Sequence, residues 1–259
     1  MRADKFFAEK YGSRTRAADI IRKGLILRDG KALMPSDDVD AQDRFTFLCE
    51  EPGFVSRGGY KLAHGLDSFG EEVAGEVFAD LGASTGGFTQ VLLSRGARHV
   101  YAVDVGKAQL APALADDARV TVMDETNARY LTRESFPERI DGVVSDVSFI
   151  SLKLILPAVA DILDRDKRAF VLFKPQFECG GKGLGKGGIL PVRYHRALLS
   201  DFYRFCLELS LAPRSVVNAP VVARKNIEYV VFLQKSAEAI GEDEFLRRAQ
   251  ISSDEGNFL

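Results

Sequence analysis

The feature that most constrains the fold is a stretch in which an apolar strand, a glycine turn and a helix follow one another directly. Residues 77–81 form a short apolar segment that predicts a buried strand, and three glycines, Gly82, Gly86 and Gly87, follow it. The helical pattern opens at Gly86 and continues through Ser94. Glycines at such a junction let backbone approach a ligand closely, and a helix N-terminus presents unpaired N–H groups. The stretch therefore predicts a ligand-binding turn.

This turn differs from the two common phosphate-binding turns. The dinucleotide fingerprint G-x-G-x-x-G needs a second glycine where this chain has Ser84, and no Lys-Ser/Thr pair is present to make a phosphate loop. Asp80 precedes the turn, and Asp104 closes the next predicted strand. Two carboxylates at these positions suit a ligand that has an amino group and a ribose. S-adenosylmethionine has both, so the turn favours this cofactor. The turn alone does not identify the ligand, and the other motifs of the chain are needed for that.

Short apolar strands alternate with helical patterns in the larger part of the chain, which is typical of a parallel sheet built from βαβ units. The last two strands are joined too briefly for a crossover helix, so they must pair antiparallel. The pattern predicts an α/β fold, the class I (Rossmann-like) methyltransferase sheet of seven strands, six parallel and one antiparallel. The predicted strands are 77–81, 99–104, 120–123, 141–146, 169–174, 214–219 and 227–234, and the predicted helices are 61–69, 87–95, 106–114, 151–163 and 192–209.

Polar residues collect at the carboxyl ends of these predicted strands, where open α/β sheets bind their ligands. A single Asp there more often caps a helix or completes a turn, but five charged residues follow five successive strands. We expect Asp104 to accept hydrogen bonds from ribose hydroxyls and Asp124 to accept one from an adenine amino group. The predicted cofactor-binding residues are Asp80, Gly82, Ser84, Thr85, Gly86, Gly87, Phe88, Asp104 and Asp124.

The front of the chain is basic and is followed by an acidic segment. The first 31 residues carry nine Lys or Arg and four acidic residues, whereas residues 32–51 carry one Arg and six acidic residues. Helices are predicted over 3–9 and 14–23, the second capped by Ser13, and a hairpin over 25–33 turns at Asp29-Gly30. This arrangement resembles the αL RNA-binding motif of a small-subunit ribosomal protein, although a solvated basic helix pair without a ligand is the alternative. The predicted RNA contacts here are Arg2, Lys5, Arg14, Arg16, Arg22 and Lys23.

Composition limits the function classes. A net charge of −2 over 259 residues means that any nucleic-acid binding must be local. Cys49, Cys179 and Cys206 form no C-x-x-C pair and make no metal-site spacing with the three histidines, so we expect free thiols in a reducing compartment and no metal. No signal peptide is evident, and the apolar run 154–163 is too short to span a bilayer. We therefore expect a cytoplasmic protein that has no membrane partner.

Four motifs carry a specific resemblance: residues 56–62 (SRGGYKL), 145–152 (SDVSFISL), 174–178 (KPQFE) and 185–189 (GKGGI). With Asn226-Ile-Glu228 and the basic front, they resemble the TlyA (hemolysin A-like) group of FtsJ-related ribosomal RNA ribose 2′-O-methyltransferases. The resemblance extends from Arg2 to about Gln234. One departure is Lys225, where the family leads us to expect glycine, so the loop before Glu228 is expected to differ in shape.

The resemblance implies a catalytic tetrad of Lys61, Asp146, Lys174 and Glu228. A ribose 2′-hydroxyl is a poor nucleophile until its proton is removed, whereas a sulfonium methyl group is already activated, so the enzyme must supply in-line positioning and a base. Burial and a second cation both favour the neutral form of a lysine. We therefore predict Lys174 as the base, Lys61 as the neighbouring cation, and the two carboxylates as the groups that orient the lysines.

The resemblance also implies the domain order and the partners. We expect an RNA-binding domain and linker over 1–57, an S-adenosylmethionine-dependent methyltransferase domain over 58–236, and an acidic tail over 237–259 that forms a frayed, solvated helix. The glycine-rich loop after the base, with Lys182 and Lys186, is expected to act as a lid that grips substrate phosphate. The resemblance implies a cytidine ribose in ribosomal RNA or a ribosomal subunit as the substrate; which nucleotide position is modified and the oligomeric state stay open.

Three other functions fit parts of the sequence. A membrane-active hemolysin is suggested by the family name, but the chain has no spanning segment and no long basic amphipathic helix. An RNA-binding protein with an inactive methyltransferase domain conflicts with the intact tetrad and glycine turn. A small-molecule methyltransferase leaves the basic front without a role.

Overall fold

The computed structural model describes residues 1–22, 24–29, 31–47, 54–220 and 225–251. The predictions for Lys23, Gly30, Cys49 and the linker at 50–53 concern residues outside these ranges. The chain divides into two compact units. We call the one that contains residues up to 47 the small unit, and the one that contains residues 54–219 and 227–251 the large unit.

The small unit combines two helices with a three-stranded antiparallel sheet. Its elements are α1 (Ala3–Phe6), α2 (Arg14–Arg22), β1 (Ile26–Arg28), β2 (Lys31–Ala32) and β3 (Phe45–Phe47). The Ser13 hydroxyl accepts a hydrogen bond from the Arg16 N–H at 3.1 Å, which confirms the predicted N-cap. The predicted hairpin of β1 and β2 is present, but the acidic segment also supplies β3 on the other side of β1. The strand was not predicted; its Phe45 ring packs 4.9 Å from Phe7.

The large unit alternates strands and helices along its length. Its longer elements are α3 (Arg57–Phe69), β4 (Val77–Leu81), α4 (Gly87–Ser94), β5 (His99–Val103), α5 (Pro112–Ala115), β6 (Val120–Met123), β7 (Gly142–Ser145), α6 (Leu156–Ile162), β8 (Arg168–Phe173), α7 (Pro175–Glu178), α8 (His195–Glu208), β9 (Leu211–Asn218), β10 (Tyr229–Lys235) and α9 (Glu242–Arg248). Single 3-10 turns cover Ala128–Tyr130, Arg133–Ser135, Leu152–Leu154, Lys186–Gly188 and Val192–Tyr194.

One seven-stranded sheet forms the centre of the large unit, in the order β6-β5-β4-β7-β8-β10-β9. β10 runs antiparallel to both of its neighbours, and the other pairings are parallel. The predicted α/β methyltransferase sheet with one antiparallel strand is therefore confirmed. Strand order reverses at β4, which has β5 on one side and β7 on the other, so a ligand crevice is expected at the carboxyl ends of these strands.

Both faces of the sheet are covered, as the continuous apolar strands predict. All five residues of β4 are buried, and successive side chains point to opposite faces. Phe78 joins the cluster that includes Leu62 of α3 and Leu92 of α4. Ala79 joins the opposite cluster, which includes Phe202 of α8.

The helix predicted over 106–114 is mostly wrong, because only α5 is helical there. The Asp104 carboxylate accepts a hydrogen bond from the Gly106 N–H at 2.8 Å, and the Asp124 carboxylate accepts one from the Ala108 N–H at 2.7 Å. Ala108 has a φ of 50°. A left-handed residue cannot continue a right-handed helix, so the segment becomes a turn held by the two aspartates.

The tail helix is packed into the core, which contradicts the expected solvated helix. α9 buries Phe245 and Leu246, and both belong to the same apolar cluster as Phe202 and Val216. The Phe245 ring lies 5.4 Å from that of Tyr203 on α8. The acidic residues that suggested a solvated tail occupy the first turn of α9, where they oppose the positive end of the helix dipole.

We expect Phe245→Ala to lower the free energy of unfolding by about 3–5 kcal/mol, because it leaves a cavity in a fully buried site. Denaturant unfolding measures this change. Leu207→Ala on α8 is the control, since Leu207 is 44% exposed and its truncation should cost much less. An equal, small effect of both substitutions would mean that the tail helix is frayed after all.

Candidate active site

A pocket of about 320 Å³ lies at the carboxyl ends of β4, β7 and β8. It collects all four members of the predicted tetrad together with five of the predicted cofactor residues. Such a volume lies at the lower end of the range for small-molecule sites. The pocket is lined by Ser56, Arg57, Gly58, Lys61, Gly82, Ala83, Ser84, Thr85, Gly87, Phe88, Asp146, Ser148, Lys174 and Glu228.

Lys61 and Glu228 form the first ion pair of the tetrad. Lys61 lies in the second turn of α3 and Glu228 immediately precedes β10, yet the Lys61 Nζ is 2.5 Å from the Glu228 Oε2. β10 pairs antiparallel with β8 so that Tyr229 lies opposite Phe173. An antiparallel strand begins where its parallel neighbour ends, which places Glu228 at the pocket edge. The Gln176 amide donates to the other Glu228 oxygen at 3.0 Å.

Lys174 and Asp146 form the second ion pair. Lys174 follows β8, where it is 5% exposed, and its Nζ lies 2.6 Å from the Asp146 Oδ1 and donates to the Ser148 hydroxyl at 2.7 Å. Asp146 follows β7, the parallel neighbour of β8. Each lysine of the tetrad thus has its own carboxylate, and the more buried of the two is the one predicted as base.

The glycine turn between β4 and α4 requires glycine at two of its positions for different reasons. Gly82 has a φ of 86°, and a Cβ there would lie 3.0 Å from a methyl group of Val147. At Gly87, a Cβ would lie 2.0 Å from the Ser56 hydroxyl and 2.9 Å from the Gly59 nitrogen. The turn therefore brings bare backbone to the pocket wall, as its sequence predicts.

Asp104 and Asp124 lie outside the lining of this pocket, and both bind backbone. Asp104 accepts from the Ser84 N–H at 2.8 Å in addition to Gly106. A carboxylate offers about four acceptor positions, so two hydrogen bonds leave Asp104 able to accept more. Through Ser84, Asp104 ties the glycine turn to the end of β5. The assignment of Asp104 and Asp124 to the cofactor site stays a prediction.

The side chain of Asp80, at the end of β4, is fully buried beneath the turn. It accepts hydrogen bonds from the Thr89 N–H at 2.9 Å and the Thr89 hydroxyl at 2.7 Å, at the start of α4. Burial raises the pKa of Asp80 to about 7, against the opposing effect of Thr89, and the charges of Asp146 and Asp104 add to the rise. In this arrangement Asp80 anchors the start of α4, and its assignment to the cofactor site stays a prediction.

The raised pKa of Asp80 predicts a pH dependence of stability. The folded protein holds this proton between about pH 4, the pKa in an unfolded chain, and about pH 7, so ionisation destabilises the fold as the pH rises through this window. We expect the stability of wild type relative to Asp80→Asn to fall by about 1 kcal/mol per pH unit across it, and to level off above pH 7. Unfolding curves of both proteins from pH 4 to 8 measure the difference, and a constant difference would contradict it.

Several residues of the site were not singled out from the sequence. Ser56, Arg57 and Gly58 line the pocket ahead of Lys61, and Ser148, Gln176 and Glu178 bind other members of the site or its loops. All six lie inside the motifs that carry the family resemblance. The signal was therefore present, but a motif does not reveal which partner each of its side chains contacts.

The predicted RNA-binding residues fall into two groups. The Asp4 carboxylate lies 2.8 Å from an Arg2 guanidinium nitrogen and 3.2 Å from one of Arg14, and the hydrogen bonds of these guanidiniums lower the pKa of Asp4 to about 2. The other residues of the set within the described ranges are exposed, and none forms an ion pair with a carboxylate of those ranges: Lys5, Arg16, Arg22, Lys182 and Lys186.

The sequence predicted neither a metal site nor a membrane-spanning helix. Among those residues, no group of three His, Cys, Asp or Glu side chains is arranged to hold a metal ion. No helix in the same ranges is long and apolar enough to cross a bilayer. Cys179 and Cys206 are free thiols.

Residues 54–235 match the model of the FtsJ-like methyltransferase family. The chain is 41% identical over 246 residues to the 16S/23S rRNA (cytidine-2′-O)-methyltransferase TlyA of Mycobacterium tuberculosis, covering 92% of this chain and 91% of that protein. It is 30% identical over 263 residues to the 23S rRNA (cytidine-2′-O)-methyltransferase TlyA of Campylobacter jejuni, covering 91% and 100%. A solved structure from Streptococcus thermophilus, described as a candidate hemolysin, has a TM-score of 0.73 and 33% identity over 96% of this chain and 95% of that chain.

Proposed function

The chain belongs to the FtsJ-like methyltransferase family, and we propose that it transfers a methyl group from S-adenosylmethionine to the 2′-hydroxyl of a cytidine ribose in ribosomal RNA. The relatives named for this reaction match nearly the whole chain. The observation that carries the proposal is the pairing of two lysines with two carboxylates in one pocket beside the glycine turn.

The chemistry assigned to the tetrad follows from its geometry. Lys174 is the buried lysine at the end of β8, and we assign it the removal of the 2′-hydroxyl proton as the oxygen attacks. Lys61 pairs with Glu228, and we assign it the stabilisation of the developing negative oxygen. Asp146 and Glu228 hold their lysines in position. The 2′-oxygen attacks an already activated methyl group directly, so no covalent intermediate with the protein is needed.

The backbone and polar groups around the pocket support S-adenosylmethionine as the cofactor. When bound, this cofactor supplies a methyl group activated by a sulfonium. The bare backbone of the glycine turn would lie against it, the N–H groups at the start of α4 suit its carboxylate, and Asp104 retains acceptor capacity for hydroxyl groups. Gly82, Ser84, Thr85, Gly86, Gly87, Phe88, Asp104 and Asp124 remain our assignment for the cofactor site, and Asp80 supports it from beneath.

The small unit is assigned to RNA recognition. Lys5, Arg16 and Arg22 project exposed cationic groups from its two helices, as phosphate binding requires. Lys182 and Lys186, in the exposed glycine-rich segment of the large unit, are assigned to substrate phosphate as well. No observation on the described ranges favours the membrane-active alternative.

Ribose-methylation mapping tests the proposed function. Ribosomal RNA or ribosomal subunits that lack the modification are incubated with the purified protein and S-adenosylmethionine, and the products are digested and analysed by mass spectrometry. We expect one or a few 2′-O-methylcytidines, and none with the Lys174→Ala variant. Methylation of a base, or none on either subunit, would refute the proposal.

We expect charge reversal at Lys5, Arg16 and Arg22 to weaken RNA binding and to flatten its salt dependence. Each lost phosphate contact should reduce the slope of log K against log salt by about 0.7–0.9. Binding titrations at several salt concentrations measure the slope. Charge reversal at Arg139, Arg165 and Arg247, which are 78%, 80% and 70% exposed in the large unit, is the control for the same change in net charge. An equal loss in both proteins would contradict the assignment of the small unit.

A further inference from the structure

Ser148 gives the predicted base a hydrogen-bond acceptor that the tetrad does not include. Its hydroxyl lines the pocket and accepts from the Lys174 Nζ at 2.7 Å, beside the 2.6 Å contact of Nζ with Asp146. Asp146 and Ser148 belong to the segment that follows β7, and both contact Lys174 at the end of β8. Lys174 is thus held by two groups on the same segment.

The two contacts define where a neutral Lys174 amine can take up a proton. A neutral primary amine has two N–H bonds and one lone pair, and only the lone pair can act as a base. If Asp146 and Ser148 accept the two N–H bonds, the lone pair is left for the remaining direction. All three residues line the pocket, so a lone pair in this direction can face a hydroxyl group bound there. With Asp146 alone, rotation about the last C–N bond would allow the lone pair to point elsewhere.

We propose that Ser148 is a positioning residue of the base, and that Glu178 holds the segment that presents it. The proposal rests on the proposed function, because it concerns the same proton transfer. Ser148 acts through Lys174 and takes no proton of its own from the substrate.

Glu178 fixes the far end of the segment. Its carboxylate accepts from the Ser151 hydroxyl at 2.5 Å and from the Leu152 N–H at 2.8 Å. Glu178 lies on α7, four residues after Lys174, so α7 connects the base to the segment that orients it. Between the two anchors, Phe149 has a φ of 62°, and its ring lies 5.1 Å from that of Phe177 on α7. A left-handed aromatic residue is rare, and the segment that contains it is held on both sides, by the contact of Ser148 with Lys174 and by the contacts of Ser151 and Leu152 with Glu178.

Variants at Ser148 separate positioning from folding. We expect Ser148→Ala to lower kcat about tenfold, the value of one hydrogen bond to a charged or reacting group. Ser148→Thr retains the hydroxyl and should recover most of the rate. S-adenosylmethionine affinity, measured by calorimetry, should change less than about twofold in both, because only the transition state depends on the lone pair.

Variants at Glu178 test the anchor, with Asp141 as the matched control. Asp141 precedes the same strand β7 at its other end, where it accepts from the Val77 N–H at 3.0 Å and pairs with Lys167 at 2.6 Å. We expect Glu178→Ala to lower kcat about tenfold or more and Glu178→Gln to lose less, whereas Asp141→Ala should lower the melting temperature and leave kcat unchanged. In the Glu178→Ala background, Ser148→Ala should have a smaller effect than in wild type, because both act on one contact.

Each outcome distinguishes this inference from the function on which it rests. If the wild-type protein methylates no ribose, both the proposed function and the roles of Ser148 and Glu178 are refuted. An active wild type whose Ser148→Ala variant keeps its full kcat overturns only the role of Ser148. A loss of kcat at Ser148 that threonine does not restore, or that is matched by lost cofactor affinity, also overturns it. Equal effects of Glu178→Ala and Asp141→Ala on kcat overturn the anchor.

Discussion

Lys174→Ala is expected to reduce turnover by about 10²–10⁴-fold while S-adenosylmethionine affinity stays close to that of wild type, because a base contributes to the transition state and not to cofactor binding. Lys174→Arg should recover almost nothing. A guanidinium has no lone pair to accept a proton at accessible pH, and the buried position between Asp146 and Ser148 is shaped for a single nitrogen. Single-turnover methylation of RNA measures the rates, and calorimetry measures the affinity.

Lys61→Arg is the matched comparison for this result. Its assigned role is cationic, and arginine preserves both the charge and a pairing with Glu228, so part of the activity should remain. The two arginine variants are compared on the same RNA under the same conditions. If Lys174→Arg is the more active of the two, the roles of the lysines are reversed.

The second large effect is expected at the cofactor. Gly82→Val and Asp104→Ala should each abolish measurable S-adenosylmethionine binding. At Gly82, a β-branched residue would have to adopt a φ of 86° with its Cβ 3.0 Å from Val147. At Asp104, the loss removes an acceptor for the ribose and also the hydrogen bond that ties Ser84 to the end of β5. Calorimetric titration measures binding, and circular dichroism verifies that each variant is folded.

Gly70→Ala controls for backbone strain. Gly70 ends α3 with a φ of 67°, and a Cβ there would meet no atom within 4 Å. The substitution should therefore lower stability by about 1 kcal/mol without changing cofactor affinity. Wild-type affinity in both Gly82→Val and Asp104→Ala would refute the cofactor assignment. Equal losses of affinity in these two variants and in Gly70→Ala would mean that the losses come from impaired folding.

Much of the candidate site could be predicted because its residues follow strands. The boundaries of β4 and β6 match the apolar segments of the sequence residue for residue, and Lys174 and Asp146 follow β8 and β7 as predicted. Parallel neighbours end at one edge of a sheet, so this placement needed only the strand order. The resemblance added Lys61 and Glu228, which no local pattern connects.

Predictions failed where local and distant interactions compete. Residues 106–114 have an adequate helical pattern, but the carboxylates of Asp104 and Asp124 bind their backbone and stop the helix. The acidic residues of α9 suggested a solvated tail, but Phe245 packs against Tyr203 of α8. For residues 106–114 the deciding partners are a carboxylate two residues before Gly106 and one 16 residues after Ala108. For α9 the deciding partner is α8, which is distant in the chain.

The sequence by itself determined the order of strands and helices, the glycine turn and the edge of the sheet at which the polar residues collect. These depend on hydrophobic periodicity and backbone sterics, which act between near neighbours in the chain. Only the tertiary structure decided that Lys61 pairs with Glu228, 167 residues away, that Asp80 is buried beneath the turn, and that Glu178 holds the segment beside the base. Hydrogen bonds and ion pairs form within about 3 Å, so the choice of partner depends on which distant elements the packed sheet brings together.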